Sequence, residues 1–367
     1  CNNALLESVN PWDLNPPFAY SVTIKATDST DLSAISLVSI AKTATVVDLS
    51  TNNISGTTLK TLADQSSISP NDLYDAGYTV DQLLAAGFSY WNYTLDASNN
   101  ATIGTGGNYS DPGNATFLGT SLSGAITIPS TVDGYTVTGI GQYAFYQCSS
   151  LTSIDILNSV TIISTRAFRD CSSLTSITVD ANNNSFSDIN GVLFNKDQST
   201  LIQYPIGKTA TSYAIPHSVT TIGEYTFWSC RNLNSIDLSG TQVTTIEIYT
   251  FYNSGLTSID LSGTQVTSIG RAAFYQCTSL TSIHFPDSVT TIDVLAFSSC
   301  TSLTSIDLSG TQVTTIDNAA FSSCTSLETI DLGNSVTTIG SGAFQACSSL
   351  ETIDLGNSVT TIGSSAF

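Results

Sequence analysis

One interval governs this chain. Phe145, Phe168, Phe227, Phe251, Phe274, Phe297, Phe321, Phe344 and Phe367 each follow Ala or Thr. Their spacing is 23 or 24 residues, apart from one step of 59 between Phe168 and Phe227. Three residues after the Phe stands a cysteine: Cys148, Cys171, Cys230, Cys277, Cys300, Cys324 and Cys347, with Ser254 replacing it once. Each coil then reads L-x-x-I-x-L or a close variant, followed by V-x-x-I. Self-similarity at a fixed period of this length is the mark of a solenoid. One coil cannot bury its apolar stripe alone, whereas stacked coils bury it against each other. The β-branched content favours short strands. The turn SGTQ takes one residue more than PDS, which accounts for the two coil lengths.

The phrase C-x-S-L-x-S-I-x-L…S-V-T-x-I-G-x-x-A-F-x-x-C, over about residues 115–367, resembles the BspA-like leucine-rich-repeat family of surface proteins. The entry phrase ITIPSTVDGYTVTGIGQYAF, from Ile126, is similar to that family's opening. NGVLFNKDQSTLIQYPIGK, from Asn190 inside the long step, is similar to a β-hairpin insertion of the family, its polar KDQS turn lying between two apolar runs. The resemblance implies a right-handed leucine-rich-repeat superhelix, β-rich, on an extracellular or cell-surface protein that adheres to other molecules. The expected organisation is a solenoid over 126–367 with a hairpin insertion at about 181–215. A solenoid N-terminal cap over 91–125 precedes it.

The first third does not carry the repeat. FAYSVTIKATD, within about residues 5–45, is similar to the end of a cadherin-like domain, with Asp28 in the A-x-D position. Residues 1–50 read as a strand-like segment, an incomplete sandwich or an assembly arm, because a sandwich needs about seven strands. Over 51–90 two short helices are expected. Ser69 and Thr79 stand as N-caps, Asp72 and Gln82 follow three residues on, and Gly77 and Gly87 fit as C-terminal stops.

The net charge of −20 and nine dispersed Lys and Arg leave no basic footprint for nucleic acid. An anionic membrane surface repels such a chain, and no apolar run reaches the roughly 18 residues of a membrane span. Cys1 is consistent with a processed chain or a lipoprotein start.

The fixed position of the Cys ladder on the inward side reads as packing, since free Cys is often buried. Coils roughly 4.8 Å apart leave a vertical disulfide geometrically open, and the absence of C-x-x-C spacing argues against zinc. Asp237, Asp260, Asp307, Asp331 and Asp354 form an acidic row interrupted by His284. Stacked carboxylates repel, and calcium is the candidate counter-ion; no other cofactor is expected. His217 and His284 lie in different coils, and no nucleophile triad or phosphate loop stands out. The sequons at Asn53, Asn92, Asn100, Asn108, Asn114 and Asn183 are candidate N-glycosylation sites, four of them crowded between Asn92 and Asn114. The adjacent Thr pairs of V-T-T-I are expected to face opposite ways.

Function is expected to be non-enzymatic and extracellular. One reading is a self-assembling subunit of a filament or surface layer. There Phe18, Tyr20, Val22 and Ile24 of one copy cover Leu355, Val359, Ile362 and Phe367 of the next, head to tail. The other is an adhesin for cell-surface or matrix glycoproteins, and an enzyme with an unrecognised site is the third.

Overall fold

The computed structural model describes residues 91–104 and 122–367, within a compact unit that spans Trp91–Phe367. The segment 1–50, the expected helices of 51–90, and the residues Phe18, Tyr20, Val22 and Ile24 lie outside the described residues.

Every described element is a strand, and the chain winds as a β-solenoid. The V-x-x-I phrases supply one parallel sheet. Its two-residue strands run from Thr221–Ile222 through Thr245–Ile246, Ser268–Ile269, Thr291–Ile292, Thr315–Ile316 and Thr338–Ile339 to Thr361–Ile362. The inward Ile residues pair in register: Ile222 with Ile246, Ile246 with Ile269, Ile269 with Ile292, Ile292 with Ile316, Ile316 with Ile339 and Ile339 with Ile362. The L-x-x-I phrases supply a second set of short parallel strands, such as Ser305–Asp307, Thr329–Asp331 and Thr352–Asp354. Val, Ile, Leu, Phe and Cys from both sets fill the space between them and form one continuous core.

The step from Ile246 to Ile269 is of the shorter kind although its turn is the longer SGTQ. The compensation lies at Ser254-Gly255-Leu256, one residue shorter than the Cys-x-x-Leu of other coils. Only glycine fits at 255, because a Cβ there would run into the carbonyl oxygen of Arg231. Coil length therefore depends on two turns rather than one.

The Phe rings form a stack along the core. Centroids of consecutive rings from Phe227 to Phe367 lie 5.0–5.5 Å apart. Within the long step after Phe168, Tyr204 stands one repeat period before Phe227 and takes the Phe position, with its centroid 5.2 Å from Phe227. Ahead of it, Phe186–Ile189, Val192–Asn195 and Thr200–Gln203 make a three-stranded antiparallel meander. Asn190 and Gly191 turn the first hairpin with φ of 52° and 75°, the left-handed pair that matches strand twist in a two-residue loop. Thr200–Gln203 then joins the large parallel sheet beside Thr221–Ile222.

At the other end, Tyr93–Leu95 pairs antiparallel with Ala101–Ile103, which pairs in parallel with Tyr135–Ile140. Trp91 packs edge-on against Phe145, 6.4 Å between centroids.

Candidate functional site

The cysteines are explained by one carbonyl. In each turn the Phe carbonyl accepts the backbone N–H of the Cys three residues on, as in Cys171 N to Phe168 O and Cys300 N to Phe297 O. The same oxygen faces the thiol of the next coil. Cys171 Sγ donates to Phe145 O at 2.9 Å, Cys277 Sγ to Phe251 O at 3.0 Å, and Cys300 Sγ to Phe274 O at 3.1 Å. Cys324 and Cys347 repeat this at 3.2 Å. Ser254 Oγ lies 3.3 Å from Cys277 Sγ. The seven described cysteines are thiols rather than disulfides, and all but Cys347 are buried. Burial pushes the thiols of Cys277 and Cys347 up to about 11 and that of Cys148 to about 12. A thiol so reluctant to ionise is a poor nucleophile and a poor metal ligand.

The acidic row is a row of turns. Oδ1 of Asp237, Asp260 and Asp307 accepts the backbone N–H of Ser239, Ser262 and Ser309 at 2.8–2.9 Å, and Asp331 and Asp354 do the same with Gly333 and Gly356. Hydrogen bonds from those serines hold the carboxyls of Asp237, Asp260 and Asp307 below the usual carboxylate range. Each carboxylate thus has a hydrogen-bond partner in its own coil and closes its own turn. Among the described residues no group of three His, Cys, Asp or Glu is placed to hold a metal.

His284 interrupts the row where a groove of about 490 Å³ opens. Its coil carries Phe285 in the Leu position and then the turn Pro286-Asp287-Ser288, one residue shorter than the SGTQ turns on either side, and the strand pairing of Ser282–His284 does not continue to Ser305–Asp307. Asp260, Asp287, Asp307 and Phe285 line the hollow.

The sequons divide. Asn183 is 0% exposed. Its Nδ2 donates to Leu157 O and Val160 O, and its Oδ1 accepts from the N–H of Ser185 and Phe186. Asn183 is therefore a fold-forming amide, and the nitrogen that a glycan would occupy has both hydrogens committed to backbone carbonyls. Asn92 is 7% exposed, and Asn100 Nδ2 donates to Asp96 Oδ2. Asn53, Asn108 and Asn114 lie outside the described residues. The Thr pairs depart from the expectation. Thr290 and Thr291 are both exposed between buried Val289 and Ile292, because the chain turns outward between two inward residues instead of alternating as an extended strand.

Leu355 and Val359 are partly buried against the core, whereas Ile362 is 52% and Phe367 50% exposed. The coil that carries them keeps the register of the coils before it.

A stripe of aromatic and arginine side chains escaped the sequence reading. The residues two before and one after the ladder Phe point outward from the turn. In the first four coils that carry the Phe they are Tyr143 and Tyr146, Arg166 and Arg169, Tyr225 and Trp228, and Tyr249 and Tyr252. Trp228 and Tyr252 stack with centroids 3.8 Å apart, and Tyr225 and Tyr249 at 5.1 Å. The Arg166 guanidinium lies 4.3 Å from the Tyr225 ring and that of Arg169 lies 4.1 Å from Trp228, distances at which cation–π attraction operates. The signal was present at a fixed offset from each Phe, but chemical type changes from coil to coil and hides the column.

The repeat matches the BspA type leucine rich repeat region in six copies, over residues 108–212, 206–306 and 244–367. Among solved structures, the chain is similar to a leucine-rich repeat protein from Eubacterium ventriosum. The two share 32% identity over 66% of this chain and 63% of that one, with a TM-score of 0.60. It is also similar to a leucine rich cell surface protein from Faecalibacterium prausnitzii, at 28% identity over 63% and 59% with a TM-score of 0.43. The chain thus spans about three fifths of the length of these relatives. No curated protein matches it.

Proposed function

Because the chain belongs to the BspA type leucine-rich repeat family, a family of repeat scaffolds, we propose that it is a non-enzymatic extracellular surface protein whose solenoid joins copies head to tail. The observation that carries this reading is the coil of Leu355, Val359, Ile362 and Phe367. It continues both parallel ladders and the ring stack of the coil before it without a shift of register. A layer placed on it meets the ladder that each interior coil already satisfies, whether that layer is continuing chain or the segment around Phe18, Tyr20, Val22 and Ile24 of a second copy. A contact of this kind does not close on itself and propagates as a filament. Sedimentation and electron microscopy of the full chain beside a variant lacking residues 1–50 test it. Polymers from the first and monomers from the second are expected. Equal assembly by both, or a monomeric parent at high concentration, rejects the filament.

The groove at His284 favours a second reading, an adhesin for a cell-surface or matrix glycoprotein. Its volume is in the range of ligand sites, and its carboxylates and Phe285 ring suit hydroxyl-rich partners. Monomeric protein that binds immobilised glycoprotein, with binding lost in Asp287→Ala, is the result this reading expects.

A further inference from the structure

The coil that contains the meander lacks the A-F-x-x-C turn. Around Tyr204 the sequence is Gln203-Tyr204-Pro205-Ile206-Gly207, with neither the outward pair nor the cysteine. Elsewhere the outward columns step from one coil to the next, but here they skip one. Arg166 and Arg169 span the interval and lay their guanidinium groups on Tyr225 and Trp228, on the far side of the long step.

Beneath this bridge lies a hollow of about 10 Å³, lined by Arg166, Arg169, Asp170, Gln203, Tyr225 and Trp228 among others. That is room for one water-sized occupant. The charges around it do not balance. Asp170 is committed to its neighbours: Oδ1 accepts from Trp228 Nε1 at 3.0 Å, and Oδ2 lies 3.6 Å from Arg169 Nε. Arg169 and Asp170 therefore offset each other. No second carboxylate lines the hollow to offset Arg166. Its Nη1 donates to Tyr143 Oη at 2.9 Å and its Nη2 to Tyr225 Oη. Its Nε is buried and has no hydrogen-bond partner. A buried N–H of a charged group left unmade costs more than that of a neutral one, and a half-buried cation without a counter-charge is costly as well. The hollow therefore carries one net positive charge and an unused charged donor, in space for a single atom.

We propose that this hollow is a monovalent anion site that holds one chloride ion, the counter-charge of Arg166, and that the ion completes the bridge across the coil that lacks the turn. A carboxylate or phosphate group is too large for a hollow of this size. A halide needs no particular geometry from its donors and accepts the Arg166 Nε–H directly.

Thermal unfolding of the full chain at fixed ionic strength provides the test, with sodium gluconate exchanged stepwise for sodium chloride. A ligand that binds only the folded state raises the midpoint with its concentration. A rise of about 1–3 °C to 0.3 M chloride is expected, reproduced by bromide and absent in Arg166→Gln. Crystals of the unmodified chain grown in sodium bromide should show an anomalous peak between the two guanidinium groups, a readout that does not depend on the variant folding. The same midpoint in gluconate and chloride, or a bromide-free hollow occupied by water, overturns the proposal.

Discussion

Two residues in every turn adopt left-handed backbone, and almost none of them is glycine. Tyr249 and Asn253 flank Phe251 with φ of 57° and 53°; Ala319 and Ser323 flank Phe321 with φ of 53° and 61°. The conformation costs a non-glycine residue roughly 1 kcal/mol. It persists because the turn's N–H groups bond the neighbouring coil, as in Phe321 N to Ala343 O and Ser323 N to Gln345 O. Ala319→Gly should therefore raise stability by up to about 1 kcal/mol. The same change at its neighbour Ala320, which is fully buried and has no positive φ, should lower it. Urea midpoints of the two variants check the contrast. Tyr204 gives a second contrast at this scale. Its ring belongs to the Phe stack, but its buried hydroxyl has no partner. Tyr204→Phe should raise the urea midpoint, by about 1 kcal/mol in stability, because it removes a desolvated polar group and keeps the ring. At the cysteine position, Cys300→Ser keeps a donor for Phe274 O and should fold with a loss of about 1 kcal/mol. Stoichiometric zinc in the purified protein would contradict the structural reading of the ladder.

The elements of this protein are short strands joined by turns, and the turns carry most of its individuality. A single residue more or less decides whether a coil is flush with its neighbours or leaves a groove, as at Phe285-Pro286-Asp287-Ser288. The Asp turns also give the solenoid an acid sensitivity. Asp237, Asp260 and Asp307 have folded values below their ordinary one of 3.8, held there by hydrogen bonds from Ser239, Ser262 and Ser309. For a depressed carboxyl the stabilisation is present above the unfolded value and is lost as pH falls through the folded one. These groups are near the surface, so each contribution is small. Stability should fall as pH drops below about 4, and Asp307→Asn, which retains the turn acceptor, should weaken that dependence. Unfolding scans from pH 6 to pH 2.5 measure it.

Across the whole molecule, the regular half and the irregular half behave differently. From Phe227 onward the ring stack and the V-x-x-I sheet repeat from coil to coil, and loss of one packing unit is felt chiefly by its neighbours. Around the meander, continuity depends on Tyr204 in the ring stack and on Arg166 and Arg169 above it. Trp228→Ala should therefore destabilise through both the lost stacking on Tyr252 and the lost seat of Arg169, by about 3 kcal/mol or more. The effect should be larger than that of the more remote Tyr275→Ala, and urea midpoints of the two variants compare them.

The sequence by itself determined the solenoid. The interval between Phe residues, the L-x-x-I and V-x-x-I phrases and the inward cysteines suffice, because an apolar stripe that recurs once per coil has no other way to leave water. It also marked the meander, through NGVLFNKDQSTLIQ between two regular coils. Only the tertiary structure decided what the outward positions do. Whether Asp260 shares a cation or closes its own turn, whether Asn183 carries a sugar or two backbone carbonyls, and whether adjacent threonines face one way all depend on local backbone direction. The repeat pattern does not encode that direction. Tyr204 and Arg166 were illegible for a further reason: their partners, Phe227 and Tyr225, lie a full coil or more away along the chain. The contact exists only once the coil between Phe168 and Phe227 has wound without its turn.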